Sequence, residues 1–368
     1  MEQAKHDLIA ILRAMVCGGG TAVPPDADWP ALWALAQRNH LETVVYKAMP
    51  EEIAAPLTGD YYDFVIRAGQ QGLLLEQVGQ ALQKAGIPFA PQKGSILRND
   101  YPQPQFRFMT DLDLCIRPED RAAVRAAMAG IGGVLHGSES GDDQFRFPGG
   151  LGVEFHGRLL YRKTGNGIEN YPDWSFVDVQ HNRLTEEGYA LNLIGHAVGD
   201  LAKGGPGVRY ILDLWVYRHR HVPQPDWNLV WARLQADGIA AAAKNLLDLS
   251  EYLFGTGAQT ALLKEMAQYV LAGGLYGDAD RALAAETARA GGKGRALFRQ
   301  VFRSRAEYEN RFPWLRRRPY LLPLAWLLRL IRSFRSNRKT ITAWCTRIRT
   351  VPKQAVKNQK ARLKRFGL

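Results

Sequence analysis

Residues 93–116, KGSILRNDYPQPQFRFMTDLDLCI, carry the pattern from which the rest of the chain can be read. Just upstream, IPFAPQ (87–92) is a short apolar run, and after Lys93-Gly94-Ser95 the segment ILRNDY reads as a helical turn. The period then becomes two. In DLDLCI (111–116), Asp111 and Asp113 share one face of a strand while Leu112, Leu114 and Ile116 share the other. PEDRAAVRAAMAGIGG (118–133) is a short helix opened by Pro118. QFRFPGGLGVEFHGR (144–158) reads as a hairpin whose second strand turns Val153 and Phe155 inward and Glu154 and His156 to the opposite face. The expected product is a small mixed sheet over residues 87–160.

Outside this island the apolar spacing is helical. Residues 5–16 and 30–48 form a helical N-terminal region split by the loop GGGTAVPPDADWP (18–30), and one long helix over 61–85 stops at Gly86. YRKTGNGIENYPDWSF (161–176) reads as a turn-rich connection. Helices are expected over 185–203, 208–220, 226–237, 239–254, 259–272 and 278–303, with KGGPG (203–207) as a helix-to-helix turn. The fold class is therefore α+β, a small mixed sheet between a helical N-terminal and a large helical C-terminal region. The expected division is 1–60, 61–180, 181–318 and 319–368.

With 46% hydrophobic and 23% charged residues in 368, the chain is neither disordered nor fibrous. Cys17, Cys115 and Cys345 are too scattered for a zinc site or a disulfide framework, and MEQAKHDLIAILRAMV lacks the form of a signal peptide, so a cytoplasmic location is expected. Charge is asymmetric. From residue 302 onward nineteen Lys or Arg face two Glu, a balance of +17, which leaves −5 for residues 1–301 of the total +12. That points to a polyanion or anionic membrane at the C-terminal end, or to a solvated tail. No stretch reaches the apolar length of a membrane span. Leu324, Leu327, Leu328 and Ile331 form an amphipathic stripe beside Arg329, Arg332 and Arg335. Docking of that stripe onto the protein's own helices is expected, and a solvated helix or disorder for residues 347–368. Trp326, Phe334 and Trp344 fit base stacking and helix faces equally well.

If the two acidic strands are neighbours in phase, Glu154 joins Asp111 and Asp113. Three close carboxylates repel unless a cation or a raised pKa relieves them, and hard oxygen ligands suit Mg²⁺ or Mn²⁺. Each acid alone is more often a solvated charge. Combined with the backbone amides of the Gly-Ser turn, the layout suits a nucleoside triphosphate: the turn holds phosphates, metals bridge phosphates and aspartates, and the third acid assists an incoming hydroxyl. Being exposed charges, these acids are expected to contribute little to stability.

KGSILRNDYPQPQFRFMTDLDLCI followed by GVEFHGRLL resembles the nucleotidyltransferase superfamily typified by DNA polymerase beta, and within it the uncharacterised bacterial nucleotidyltransferases. The similarity continues through LNLIGHAVGD (191–200) and VRYILDLWVY (208–217) to FPWLRRRPYLLPLAWLLRLIRSF (312–334). Where relatives often carry isoleucine within Asp-x-Asp, this chain has Leu112, a harmless core exchange. The resemblance implies a nucleotidyltransferase core in which Asp111, Asp113 and Glu154 are the metal-binding catalytic acids. Lys93, Gly94 and Ser95 contact the triphosphate, and Arg107 contacts phosphate, braces the carboxylates or is a plain surface residue. His156 supports the acids, while the helical pairs His196/Asp200 and Arg209/Asp213 either stabilise their helices or wall the substrate pocket. The implied reaction moves an NMP from an NTP to a hydroxyl or phosphate acceptor with release of pyrophosphate, and the fold does not select the acceptor. The rival is a non-catalytic NTP-binding or polyanion/membrane-associated module with a degenerate form of the same fold.

Overall fold

The computed structural model describes residues 2–19, 26–138, 142–165, 167–302, 308, 312–336 and 345–368. Its centre is a five-stranded sheet of β1 (Phe89–Pro91), β2 (Asp111–Ile116), β3 (Val134–Gly137), β4 (Asp143–Phe147) and β5 (Leu151–His156), ordered β1-β2-β5-β4-β3. β2 and β5 run parallel and the other pairs antiparallel, so the sheet is mixed and the 144–158 segment is a hairpin as expected.

Period-two alternation sends Leu112, Leu114, Ile116, Val153 and Phe155 to one face, where all are buried. Two helices cover that face: the 27-residue Thr58–Lys84, through Leu74, Val78 and Leu82 at successive turns, and Arg121–Gly130, through Val124 and Met128. Arg121 and Arg125 both pair with Asp143, which is fully buried on β4, and so tie the second helix to the sheet. The acid-bearing face is left for chemistry.

The remaining helices make one larger core. Glu2–Leu12, Trp29–Asn39 and Glu42–Ala48 pack with Glu186–Lys203, Val208–Arg220, Trp227–Ala236, Ala240–Phe254 and Ala261–Ala272, so Leu8, Leu12, Leu32 and Val44 share a cluster with Ile194, Leu212, Leu246 and Met266. Thr185 caps Glu186–Lys203 by accepting from the Gly188 amide, and the Gly-rich stretch after Lys203 is a helix-to-helix turn.

Four expectations are corrected. The 161–176 segment contains a hairpin, Leu160–Thr164 with Gly167–Tyr171, because Gly167 at φ +114° supplies a turn that its flanking strands need. The helix expected over 278–303 is two, Ala279–Ala290 and Lys293–Val301, since Gly291 at φ +76° ends the first. The helix Leu322–Ser336 docks through buried Ala325 and the partly buried Trp326, leaving Tyr320, Leu324, Leu327, Leu328 and Ile331 exposed. The stripe is therefore not the docking face; the side chains of Arg332, Phe334 and Arg335, and all of Trp344, lie outside the described residues.

The fourth concerns the C-terminal end. Lys353–Arg365 is a docked helix rather than a solvated one: Gln359 donates to the Tyr269 hydroxyl at 2.7 Å, and Arg362 and Arg365 pair with Glu265. Phe366 is fully buried in the main helical core, and a Cβ on Gly367 would stand 2.6 Å from the Ala242 nitrogen. Positive charge marked this segment as a tail, yet its few apolar residues decide where it goes. Deleting residues 350–368 thus removes core and not merely charge. Among the described residues, no helix is long and apolar enough to cross a membrane.

Candidate active site

The parallel pairing of β2 and β5 places Asp111 opposite Gly152 and Asp113 opposite Glu154, so the two acidic faces coincide. β4 adds Gln144 opposite Glu154 and Arg146 opposite Gly152. The Gln144 amide donates to Glu154 at 3.2 Å. At Gly152 a Cβ would lie 2.7 Å from Arg146 Nη1 and 3.1 Å from the Asp111 Cβ. The missing side chain lets a guanidinium and a carboxylate crowd one spot.

Asp113 is the hub. Its Oδ1 accepts from Lys93 Nζ at 2.8 Å and contacts His156 Nε2 at 2.6 Å, and its amide donates to Ser95 Oγ at 3.2 Å. Lys93 reaches it from a backbone at φ +49°, a strained conformation outside glycine, held by the Tyr189 hydroxyl donating to the Lys93 carbonyl at 3.0 Å. Gly94 follows because a Cβ there would stand 2.7 Å from Met109 Sδ and 3.1 Å from Arg107 Nη1. Ser95 is buried, and its hydroxyl locks the turn to β2.

Among the described residues, ligand atoms of Asp113, Glu154 and His156 lie within 4.8 Å of one another. The sequence pattern placed Asp111 in this trio and His156 outside it; the register brings in the imidazole, while Asp111 lies outside the group and accepts from Thr110 Oγ1 at 2.9 Å. Two carboxylates and an imidazole are a donor set for a divalent cation, with the nitrogen favouring Mn²⁺ more than an all-oxygen site would.

Burial raises Asp113, but Lys93 and His156 overcome it and hold the carboxyl far below the usual range. Glu154 moves the other way, up, through burial first, with Asp113 and Asp111 adding repulsion. Burial and Lys93 lower His156, yet its hydrogen bond to Asp113 and the Asp142 carboxylate 3.6 Å from its Nδ1 raise it from 6.5 to about 9. With the folded value above the unfolded one, its stabilisation is complete below pH 6.5 and disappears as pH rises through about 9. In chelator-treated protein, melting temperature should therefore fall more steeply between pH 6.5 and 9 for the wild type than for His156→Gln. Parallel curves would contradict this.

Arg107 is not a surface residue. It is buried, and its Nε donates to both oxygens of Asp213 at 2.7 and 3.0 Å. The Tyr101 hydroxyl donates to the same carboxylate at 2.6 Å, and Arg209 Nη1 to the Phe108 carbonyl at 2.8 Å. Arg107, Arg209 and Asp213 thus clamp the loop before β2 onto the helix Val208–Arg220. His196 packs between Tyr161 and Tyr210 with Asp200 3.5 Å away; burial lowers it to about 4, so the ring is neutral at pH 7. It is not a member of the 4.8 Å group.

Sequence reading missed Gln144, Arg146 and Asp142. The alternation in DQFRF (143–147) offered a signal, since it puts Gln144 and Arg146 on one face, but only the register ties that face to Glu154.

No curated protein and no solved structure matches the chain. The family described as "Uncharacterised nucleotidyltransferase" matches residues 25–255, more than half the length and every acid of the site. On that match, together with an acidic pair on adjacent strands behind a Lys-Gly-Ser turn, the chain belongs to the uncharacterised nucleotidyltransferase family.

Proposed function

We propose that the chain is a metal-dependent enzyme that transfers an NMP from an NTP to a hydroxyl or phosphate acceptor. The observation that carries this is the in-register pair Asp113–Glu154 with Lys93 fixed against it. Asp113 and Glu154, with His156 as a nitrogen donor once deprotonated, would hold Mg²⁺ or Mn²⁺, joined by Asp111 from the same face of β2. When bound, the metal supplies positive charge against the phosphates. The Gly94 amide and the exposed Arg146 offer donors for the triphosphate, while Ser95, whose amide donates to the Gln92 carbonyl, fixes the turn. The acceptor oxygen bonds to the α-phosphorus, the bond from the α-phosphorus to the α,β-bridging oxygen breaks, and pyrophosphate leaves with that oxygen. Glu154, whose carboxyl is pushed up, takes the proton that an acceptor hydroxyl releases.

The test incubates protein and cell extract with each α-labelled NTP. Label should appear in an acceptor only with Mg²⁺ or Mn²⁺. Nucleotide binding without any label would favour the non-catalytic module, and absence of binding would reject both.

For the C-terminal region, we propose contact with an anionic membrane surface through the exposed stripe Leu324, Leu327, Leu328 and Ile331, beside exposed Arg317 and Arg318. The protein is then cytoplasmic and peripheral to the membrane. Leu327→Asp with Leu328→Asp should weaken binding to anionic vesicles at least ~tenfold, because two leucines each lose on the order of 1–2 kcal/mol of apolar burial. Unchanged vesicle binding would remove the stripe from that role.

A further inference from the structure

A cleft of about 480 Å³ opens between the helices carrying Trp33 and Glu42 and the first half of Thr58–Lys84. Trp33, Phe64 and Phe108 supply its ring faces, and Glu42, Asp60 and Asp63 set three carboxylates against one lining cation, Arg67. Phe64 and Phe108 meet edge to face at 5.0 Å. Glu42 Oε2 is shut from solvent with no hydrogen-bond partner, and burial pushes this carboxyl up to about 7 although the Arg209 charge opposes it. Arg67 does not neutralise the cleft: its Nη2 is directed to the Thr110 and Gly150 carbonyls, at 3.3 and 3.4 Å, bracing the entry to β2 and β5.

The cleft touches the loop that enters β2. Phe108 precedes Asp111 by three residues, so their Cα atoms are at most about 10 Å apart. Acids outnumber cations in the lining, so an anion such as a nucleic-acid backbone is disfavoured here.

We propose that this cleft is the acceptor site, and that the acceptor is a small molecule bearing an ammonium group and a ring. The ammonium replaces the missing counter-ion of Glu42, Asp60 and Asp63, and the ring lies against the aromatic faces. The ligand's hydroxyl is then the group that receives the NMP. The inference rests on the transfer reading above, and its test is built to separate the two.

Tyramine and 4-hydroxyphenylacetate share a ring and a hydroxyl and differ in the sign of their charge. Binding of each to the full chain without nucleotide, by ligand-observed NMR, should favour tyramine by at least ~tenfold. Glu42→Gln with Asp63→Asn should weaken tyramine by a similar factor and leave Mg-ATP affinity unchanged. Equal affinity for the two probes, no tyramine binding at millimolar concentration, tyramine binding indifferent to the double substitution, or displacement of tyramine by an RNA oligonucleotide would overturn the proposal. If tyramine binds as expected while Mg-ATP does not bind at all, the cleft survives as an amine site and the transfer reading fails.

Discussion

Asp113→Asn should abolish nucleotide transfer, by on the order of 10³-fold or more, because it removes the central charge of the site while keeping its shape. The same substitution should lower stability without metal, contrary to what an exposed strand acid would do. Asp113 faces two cations, Lys93 at 2.8 Å and His156 at 2.6 Å, on side chains only 14–16% exposed. Neutralising the carboxylate leaves Lys93 buried without its counter-ion, at a cost on the order of 3 kcal/mol. His156 loses its main support and should titrate lower. Wild-type transfer by the variant would exclude Asp113 from the reaction; an unchanged melting temperature would mean that solvent already screens the pair.

A second large effect is expected well away from the acids. Asp213 is fully buried and accepts from Arg107 and Tyr101. Asp213→Ala strands a guanidinium and a phenol inside the protein, with an expected loss on the order of 4 kcal/mol and a drop of about 5 °C in melting temperature. Asp213→Asn keeps the volume but not the charge and should recover only part of it. Because Arg107 Nη1 would stand 3.1 Å from a Gly94 Cβ, loosening this clamp also frees the phosphate turn, so NTP affinity should fall in the folded fraction. Thermal denaturation and nucleotide binding of both variants check this; if Asp213→Ala melts as the wild type does, the pair is not the strut described.

The parts of this molecule that sequence discloses are those where side-chain period and backbone geometry agree. Alternation in 111–116 and 151–156 gave the strands and both faces, and Gly86 and Pro88 gave the end of the long helix. What stayed hidden depends on pairing at a distance. Arg107 and Asp213 are 106 residues apart, and nothing local says that they meet. His156 enters the metal-capable group through register and not through a ligand spacing. The C-terminal end misled for a different reason: eight basic residues from 347 onward read as solvated, while the burial of Ile348, Val351 and Phe366 fixes its position.

Phe366 has a wider consequence. Together with Leu8, Ile11 and Leu12 it fills the same core as Leu212 and Leu246, yet all four lie outside residues 25–255, over which family likeness is recognised. A fragment cut at those limits would keep every group needed for chemistry and expose the sockets that these side chains occupy. It should express as an aggregate or a loosely packed species. Kinship is written in the catalytic stretch, while cohesion is spread over a larger body whose outer pieces can diverge in sequence provided that they still plug the same holes.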